Sequence, residues 1–272
     1  MKGSSLLTRW IIIGFMLLFF LLPPIWIFSN ALKSVDEIFA WPPSLWPQNV
    51  TLENFVDVFV NTNFVHTLGN SFFVSVLSSL LSVTISVMAG YALAKFRFRG
   101  DTLVFMVIMC ALMIPLQIIL IPIFLLLRDL HLLNTLWGVI IAPAATPTGV
   151  FLMRQYIRNI PDSLLEAARL EGTGEWRILW RIVVPLSLPA IATLAAFTFV
   201  WRWNDFLWPF LVISDQSQWT VQLALASNVG QFDINWPRLL AMSAMAVLPM
   251  LAIFLALQRY FMNGLMAGAT KE

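Results

Sequence analysis

Six stretches of about twenty residues, long enough to cross a bilayer as helices, run almost without charge through this 272-residue chain. They extend from Trp10 to Phe28, Phe72 to Ala94, Leu103 to Leu127, Leu136 to Met153, Leu186 to Trp208 and Leu239 to Leu257. Only 11% of the residues are charged and 60% are hydrophobic, whereas a soluble domain carries about 25% charged residues. That leaves too little charge to cover a water-facing surface. The expected fold is therefore an all-α integral membrane protein with six transmembrane helices, forming a single domain over residues 1–272. The first stretch follows Lys2 and Arg9 but exceeds the apolar region of about 7–15 residues of a signal peptide, so it reads as a retained span. A net charge of +2 gives no ground for a nucleic-acid partner.

Lys and Arg set the orientation, because they accumulate on the cytoplasmic side. With the N-terminus placed there, Lys33, Arg128, Arg202 and Arg238 fall on the opposite side or its border, and the other 12 of the 16 basic residues collect on one side. Both termini are then cytoplasmic. The inner side carries a basic turn, Lys95 to Asp101, and one larger loop, residues 154–185.

Much chemistry is missing. His66 and His131 stand in no metal-binding pattern, and Cys110 is the only cysteine, so neither a metal ligand set nor a disulfide can be assembled. No phosphate-cradling or nucleophile-elbow motif occurs. Gly172-Thr173-Gly174 lacks a third glycine and reads as a turn. The chain is expected to hold no cofactor and to be no enzyme by itself.

The loop 154–185 alternates charged and apolar residues with a helical rhythm. Pro161-Asp162-Ser163 is a start signal, with Asp162 or Ser163 able to cap. Leu164, Leu165, Ala168 and Leu170 form an apolar side, while Glu166, Arg169 and Glu171 are polar. Gly172 and Gly174 permit a reversal at positive φ. A second amphipathic piece runs from Glu175 to Val184, with Trp176, Leu179 and Val183 at helical spacing, and Pro185 closes it. On physics alone this is either an interfacial helix pair resting on lipid or a protein-docking surface.

Glu166-Ala167-Ala168, three residues, Gly172, nine residues, and Ile182-Val183-Val184-Pro185 resemble the EAA loop of binding-protein-dependent ABC importer permeases. Val184 stands where that family usually has Leu. Trp203-Asn204-Asp205-Phe206-Leu207-Trp208-Pro209, Phe151 to Tyr156, and the tail Gln258-Arg259-Tyr260-Phe261 with Gly264, Gly268 and Lys271 are similar to the carbohydrate-uptake branch, in particular its smaller six-span subunit. The resemblance implies a coupling helix, with Glu166, Ala167, Ala168 and Gly172 docking on an ATPase. It further implies a homologous second permease subunit, two ATPase subunits, an extracytoplasmic solute-binding protein and a sugar substrate, in a prokaryotic inner membrane. A glycerol phosphate or polyol importer of the same architecture, or an ion-coupled secondary transporter built on Arg202 and Asp205, are the alternatives.

Polar residues within spans mark possible substrate contacts. Ser71, Ser75, Ser79, Ser82 and Ser86 form a stripe at helical steps, which equally suits close helix packing. Gln117 lies between Pro115 and Pro122. It can face a cavity or satisfy carbonyls freed by the prolines. Asn204 and Asp205 sit beside Trp201, Trp203 and Trp208, where sugar stacking and an interfacial aromatic belt both fit. Arg202 and Asp205, three apart, can pair on one helix face. Lys95, Arg97 and Arg99 read as positive-inside residues.

Overall fold

The computed structural model describes residues 2–230 and 234–269, and every regular element among them is helical. Lys271, counted above with the basic side, lies outside the described residues. The chain groups into two compact units, Met1–Leu68 with Leu223–Pro249, and Gly69–Gln222 with Met250–Glu272.

In the first unit, α1 (Lys2–Ala31) is apolar on all sides, and Trp10, Phe15, Phe19 and Phe20 are exposed, as a lipid-facing helix requires. The short α2 (Val35–Ile38) and α3 (Glu53–Asn61) follow. The Asn54 side-chain amide donates to the carbonyls of Ala31 and Lys33 at 2.9 and 2.8 Å, so α3 is fastened to the buried C-terminal end of α1. Lys33 is buried, and its Nζ donates to Asn30 Oδ1 and to the Ser44 carbonyl. Arg238 forms a two-pronged pair with Asp57 at 2.6 and 2.9 Å.

Helix α4 (Phe64–Lys95) is long and continuous. After it come α5 (Asp101–Ala111) and α6 (Leu116–Asp129), bent from one another by 102°. The third apolar stretch is thus two helices. Pro115 has no N–H to give to the preceding turn and disfavours helical geometry before it, so residues 112–114 leave the helix. The fourth stretch divides likewise into α7 (Leu136–Ile141) and α8 (Pro147–Arg158), with Pro143 in the gap and Pro147 opening the new helix. Next come α9 (Asp162–Leu170), α10 (Glu175–Ile178), a π turn (Leu179–Val183) and α11 (Val184–Leu186). Pro185 cannot donate to the Arg181 carbonyl, which leaves room for the wider turn just before it. An 80° bend then leads to α12 (Leu188–Trp203). Finally come α13 (Leu207–Val212), α14 (Val221–Val229) and α15 (Trp236–Ala269). Among the described residues, Thr8–Ala31, Phe64–Lys95 and Trp236–Ala256 are continuous helices long and apolar enough to span a bilayer, and the two bent pairs would raise the number to five.

The core of the second unit gathers Val87 and Tyr91 of α4, Met153 and Ile157 of α8, Leu165 and Ala168 of α9, and Ile178, Leu179 and Val183 beyond it. The serine stripe of α4 is buried with this unit. Ser82 Oγ lies 3.1 Å from Thr146 Oγ1, Ser71 Oγ accepts from the Val221 N–H, and Ser79 donates to its own helix at Ser75.

Candidate functional site

The loop 154–185 is anchored rather than loose. Helix α9 begins after Pro161, and neither Asp162 nor Ser163 caps it. Asp162 instead accepts from Lys95 Nζ at 2.6 Å, and the same ammonium donates to the Ile160 carbonyl. This ties the entrance of α9 to the end of α4. The helix stops in a Schellman arrangement: the Thr173 N–H donates to Ala168 O and the Gly172 N–H to Arg169 O, with Gly172 at φ +78°, the left-handed geometry that glycine adopts without penalty. Glu175, opening α10, accepts from Tyr91 Oη at 2.6 Å and from Arg169 Nε at 2.6 Å. One carboxylate therefore joins α4, α9 and α10.

Leu165 and Ala168, three apart, face inward, at 1% and 9% exposure. Ala168, expected as a docking element, has its methyl on the inward side, where it lets α9 sit close against its own core. The outward side carries Glu166, Ala167 and Gly172 with Leu164 and Leu170, the last 90% exposed. Leu164 and Leu170, grouped in sequence with Leu165 and Ala168 on one apolar side, point away from those two. Trp176 and Trp180 form an exposed edge-to-face pair, ring centroids 5.7 Å apart. A charge flanked by a small residue and a free leucine suits a shallow protein contact with an apolar centre.

The Arg169 guanidinium, and secondarily the Tyr91 hydroxyl, hold the Glu175 carboxyl below its ordinary value of 4.5, and Lys95 does the same to Asp162. A depressed folded value contributes stability that is complete above the unfolded value and is lost as pH falls through the folded one. Amide protection across residues 162–178, measured relative to the intrinsic exchange rate at each pH, is therefore expected to hold from neutral pH to about 4.5, then to fall on further acidification. Protection that fades between pH 8 and 6 would contradict this anchoring.

The second candidate region is a cleft of about 540 Å³ lined by Leu116, Phe197, Val200, Trp201, Asn204, Asp205, Phe206 and Leu207. Residues 197, 200, 201 and 204 share one face of α12 by their spacing. At its edge the lining Asp205 meets Arg202 Nη1 through Oδ2 at 2.9 Å and accepts from the Trp208 N–H, at the start of α13, through Oδ1. Asn204 donates to the Val200 carbonyl at 2.8 Å and accepts from Gln222 at 3.4 Å. Asn204 and Asp205 are thus brought together at this cleft. Ser75, Ser79 and Ser82 are not among its lining residues and are packed inside the helix crossings, with the Ser75 hydroxyl lacking a partner. Gln117, beside the lining Leu116, is exposed in the first turn of α6. The apolar wall of Phe197 and Val200 was missed by a search for polar residues, although its i, i+3 spacing marks it.

Residues 82–265 match the family described as binding-protein-dependent transport system inner membrane component. The arabinooligosaccharides transport system permease protein AraQ of Halalkalibacterium halodurans is 37% identical over 226 residues, 83% of this chain and 81% of that protein. The sn-glycerol-3-phosphate transport system permease protein UgpE of Yersinia enterocolitica is 32% identical over 264 residues, 94% and 93% of the two chains. Among solved structures, a bacterial ABC transporter involved in the import of the acidic polysaccharide alginate contains a chain that superposes with a TM-score of 0.87 at 26% identity, covering 96% of this chain and 97% of that one.

Proposed function

We propose that this chain, which belongs to the family of binding-protein-dependent transport system inner membrane components, is the permease subunit of an ATP-driven importer of neutral sugars. The observation that carries the reading is the anchored α9, whose outward Glu166, Ala167 and Leu170 stand free while its inward side is locked into the core. In this reading α9 is the coupling helix, seated on one of two ATPase subunits. A second homologous permease subunit completes the pathway, and an extracytoplasmic solute-binding protein delivers the sugar. In this reading the chain crosses a prokaryotic inner membrane six times with both termini in the cytoplasm: the three continuous helices, the two bent pairs each as one crossing, and the divided fourth stretch, α7 with α8, as the sixth.

Mechanism follows from rigidity. Lys95–Asp162 and Tyr91–Glu175–Arg169 leave α9 no freedom to move without α4, so a displacement of the ATPase pair is delivered to the spanning helices. The spans then rock between outward-open and inward-open arrangements, a coupling between distinct sites. The chain supplies no catalytic atom to ATP hydrolysis. In the cleft, Trp201 and Phe197 offer ring faces to sugar C–H groups, and the Asn204 amide offers polar edges. Gln117 stands at the neighbouring end of α6, and the partnerless Ser75 hydroxyl, with Ser79 and Ser82, becomes available where helix crossings part.

The relative that carries glycerol phosphate in its name raises a second reading, but the cleft argues against a phosphate dianion. Its lining residues include no cation, and the neighbouring Arg202 is paired with Asp205 at 2.9 Å. The same closed pair disfavours an ion-coupled secondary transporter, for which Asp205 would have to exchange protons or cations. The test is uptake by proteoliposomes holding the assembled transporter and its binding protein, supplied with labelled neutral oligosaccharides or glycerol 3-phosphate. ATP-driven saccharide uptake that survives dissipation of ion gradients is expected, and Trp201→Ala should lower it about tenfold, equivalent to ~1.4 kcal/mol. Uptake that needs an ion gradient and not ATP, or a clear preference for glycerol phosphate, contradicts the proposal.

A further inference from the structure

Outside both regions, three arginines converge on a small cleft at the foot of α4. Arg97 comes from the turn after α4, and Arg154 and Arg158 lie one turn apart on α8. The remaining wall includes Leu93, Phe105 and Asp101, around a volume of about 100 Å³. Arg154 Nε donates to the Leu93 carbonyl at 3.2 Å, and its guanidinium carbon stands 3.7 Å from the Phe105 ring centroid. Those two contacts fix the plane of the fork. Among the described residues no carboxylate comes within ion-pair distance of Arg154 or Arg158, and Asp101 reaches only Arg97, at 4.0 Å. Three positive groups against one negative leave an excess of two charges. Arg154 and Arg158, spaced i, i+4, repel one another. An arrangement that holds like charges together and immobilises one of them is explained by an anion that completes it.

The chemistry of that anion follows from the fork and the surroundings. A planar guanidinium suits the paired oxygens of a phosphate. Within one turn of Asp101 the surface of α5 becomes apolar, with Leu103, Val104, Met106 and Val107 exposed. The cleft therefore sits where a polar boundary meets a face that acyl chains would cover, and basic pockets between membrane helices bind anionic headgroups. We propose that Arg97, Arg154 and Arg158 form a site for the phosphodiester of an anionic phospholipid, its chains lying along α5. This rests on the membrane placement argued above. It would make the stability of the α4–α8 end, and hence the seating of α9, depend on lipid composition.

The test uses the assembled transporter purified in detergent, with retained lipid counted by native mass spectrometry after incubation with phosphatidylglycerol or phosphatidylcholine. Wild type is expected to retain phosphatidylglycerol selectively. The Arg97→Gln/Arg158→Gln double variant, which leaves the half-buried Arg154 and its contacts in place, should lose about tenfold to thirtyfold of that preference. Arg128→Gln, a basic residue outside the cleft, should leave it unchanged. Equal retention by wild type and the double variant overturns the site. Release of the lipid by millimolar inorganic phosphate assigns the cleft to a free anion and overturns the lipid assignment. ATP-driven uptake by the same variants reconstituted into proteoliposomes with the binding protein separates the two failures: uptake that proceeds while lipid selectivity is absent rejects this site and leaves the importer reading standing.

Discussion

Glu166→Lys is expected to reduce substrate-stimulated ATP hydrolysis by the assembled transporter about 5-fold to 150-fold, the range of a coupling free energy of ~1–3 kcal/mol, while the chain remains folded. Glu166 is exposed on the outward side of α9 and makes no ion pair among the described residues. Reversing its charge therefore removes nothing from the fold, and surface changes of this kind shift stability by within about 0.5 kcal/mol. What changes is the complement offered to a basic groove, where a like charge opposes docking. Glu166→Gln, which removes charge without reversing it, should have the smaller effect. Melting temperature and stimulated hydrolysis measured on the same samples separate the two contributions. Unaltered hydrolysis in Glu166→Lys would remove the residue from the docking surface.

Gly90→Leu is expected to act on the fold itself. A Cβ placed at Gly90 would stand 2.8 Å from both the Arg154 nitrogen and the Met153 Cβ. The first is backbone, and Met153 is fully buried, so neither has anywhere to go. Overpacking ordinarily costs about 1–3 kcal/mol. With rigid backbone opposite, the upper part of that range or beyond applies to Leu. For a chain of this size each kcal/mol moves the melting temperature by about 2–4 °C, so a fall on the order of 6–12 °C, with reduced yield, is expected. Gly90→Ala should fall between the two. A Leu variant that melts with wild type would show that α4 and α8 do not cross this closely.

The contrast between these positions shows what sequence could and could not convey. The continuous helices α1, α4 and α15 follow from uninterrupted apolar length. The breaks in the third, fourth and fifth stretches each coincide with proline, but mean hydropathy carries no information about the direction in which a chain resumes. In α9 the start at Pro161 and the turn at Gly172 were legible because each rests on local geometry. The inward direction of Ala168 was also available, since it shares a face with Leu165 at i+3, but grouping Leu164 and Leu170 with them made the apolar side too wide. Lys95–Asp162 and Tyr91–Glu175 were not legible, because residues 67 and 84 positions apart meet only after α4 has packed against the loop. The serine stripe was ambiguous in sequence for a physical reason: small hydroxylated residues serve a helix crossing and a polar pathway equally well.

The most direct test of the account is cross-linking from Ala167. With the native Cys110 replaced, Ala167→Cys places a single thiol on the outward side of α9, and Leu165→Cys places one on the buried side as a control. In membranes containing the assembled transporter, the Ala167 thiol is predicted to cross-link to the ATP-hydrolysing subunit, with a yield that changes between nucleotide-free and ATP-trapped states, and the Leu165 thiol to give no product. Transport that proceeds normally while the Ala167 thiol reaches no ATPase subunit in any nucleotide state would contradict the account.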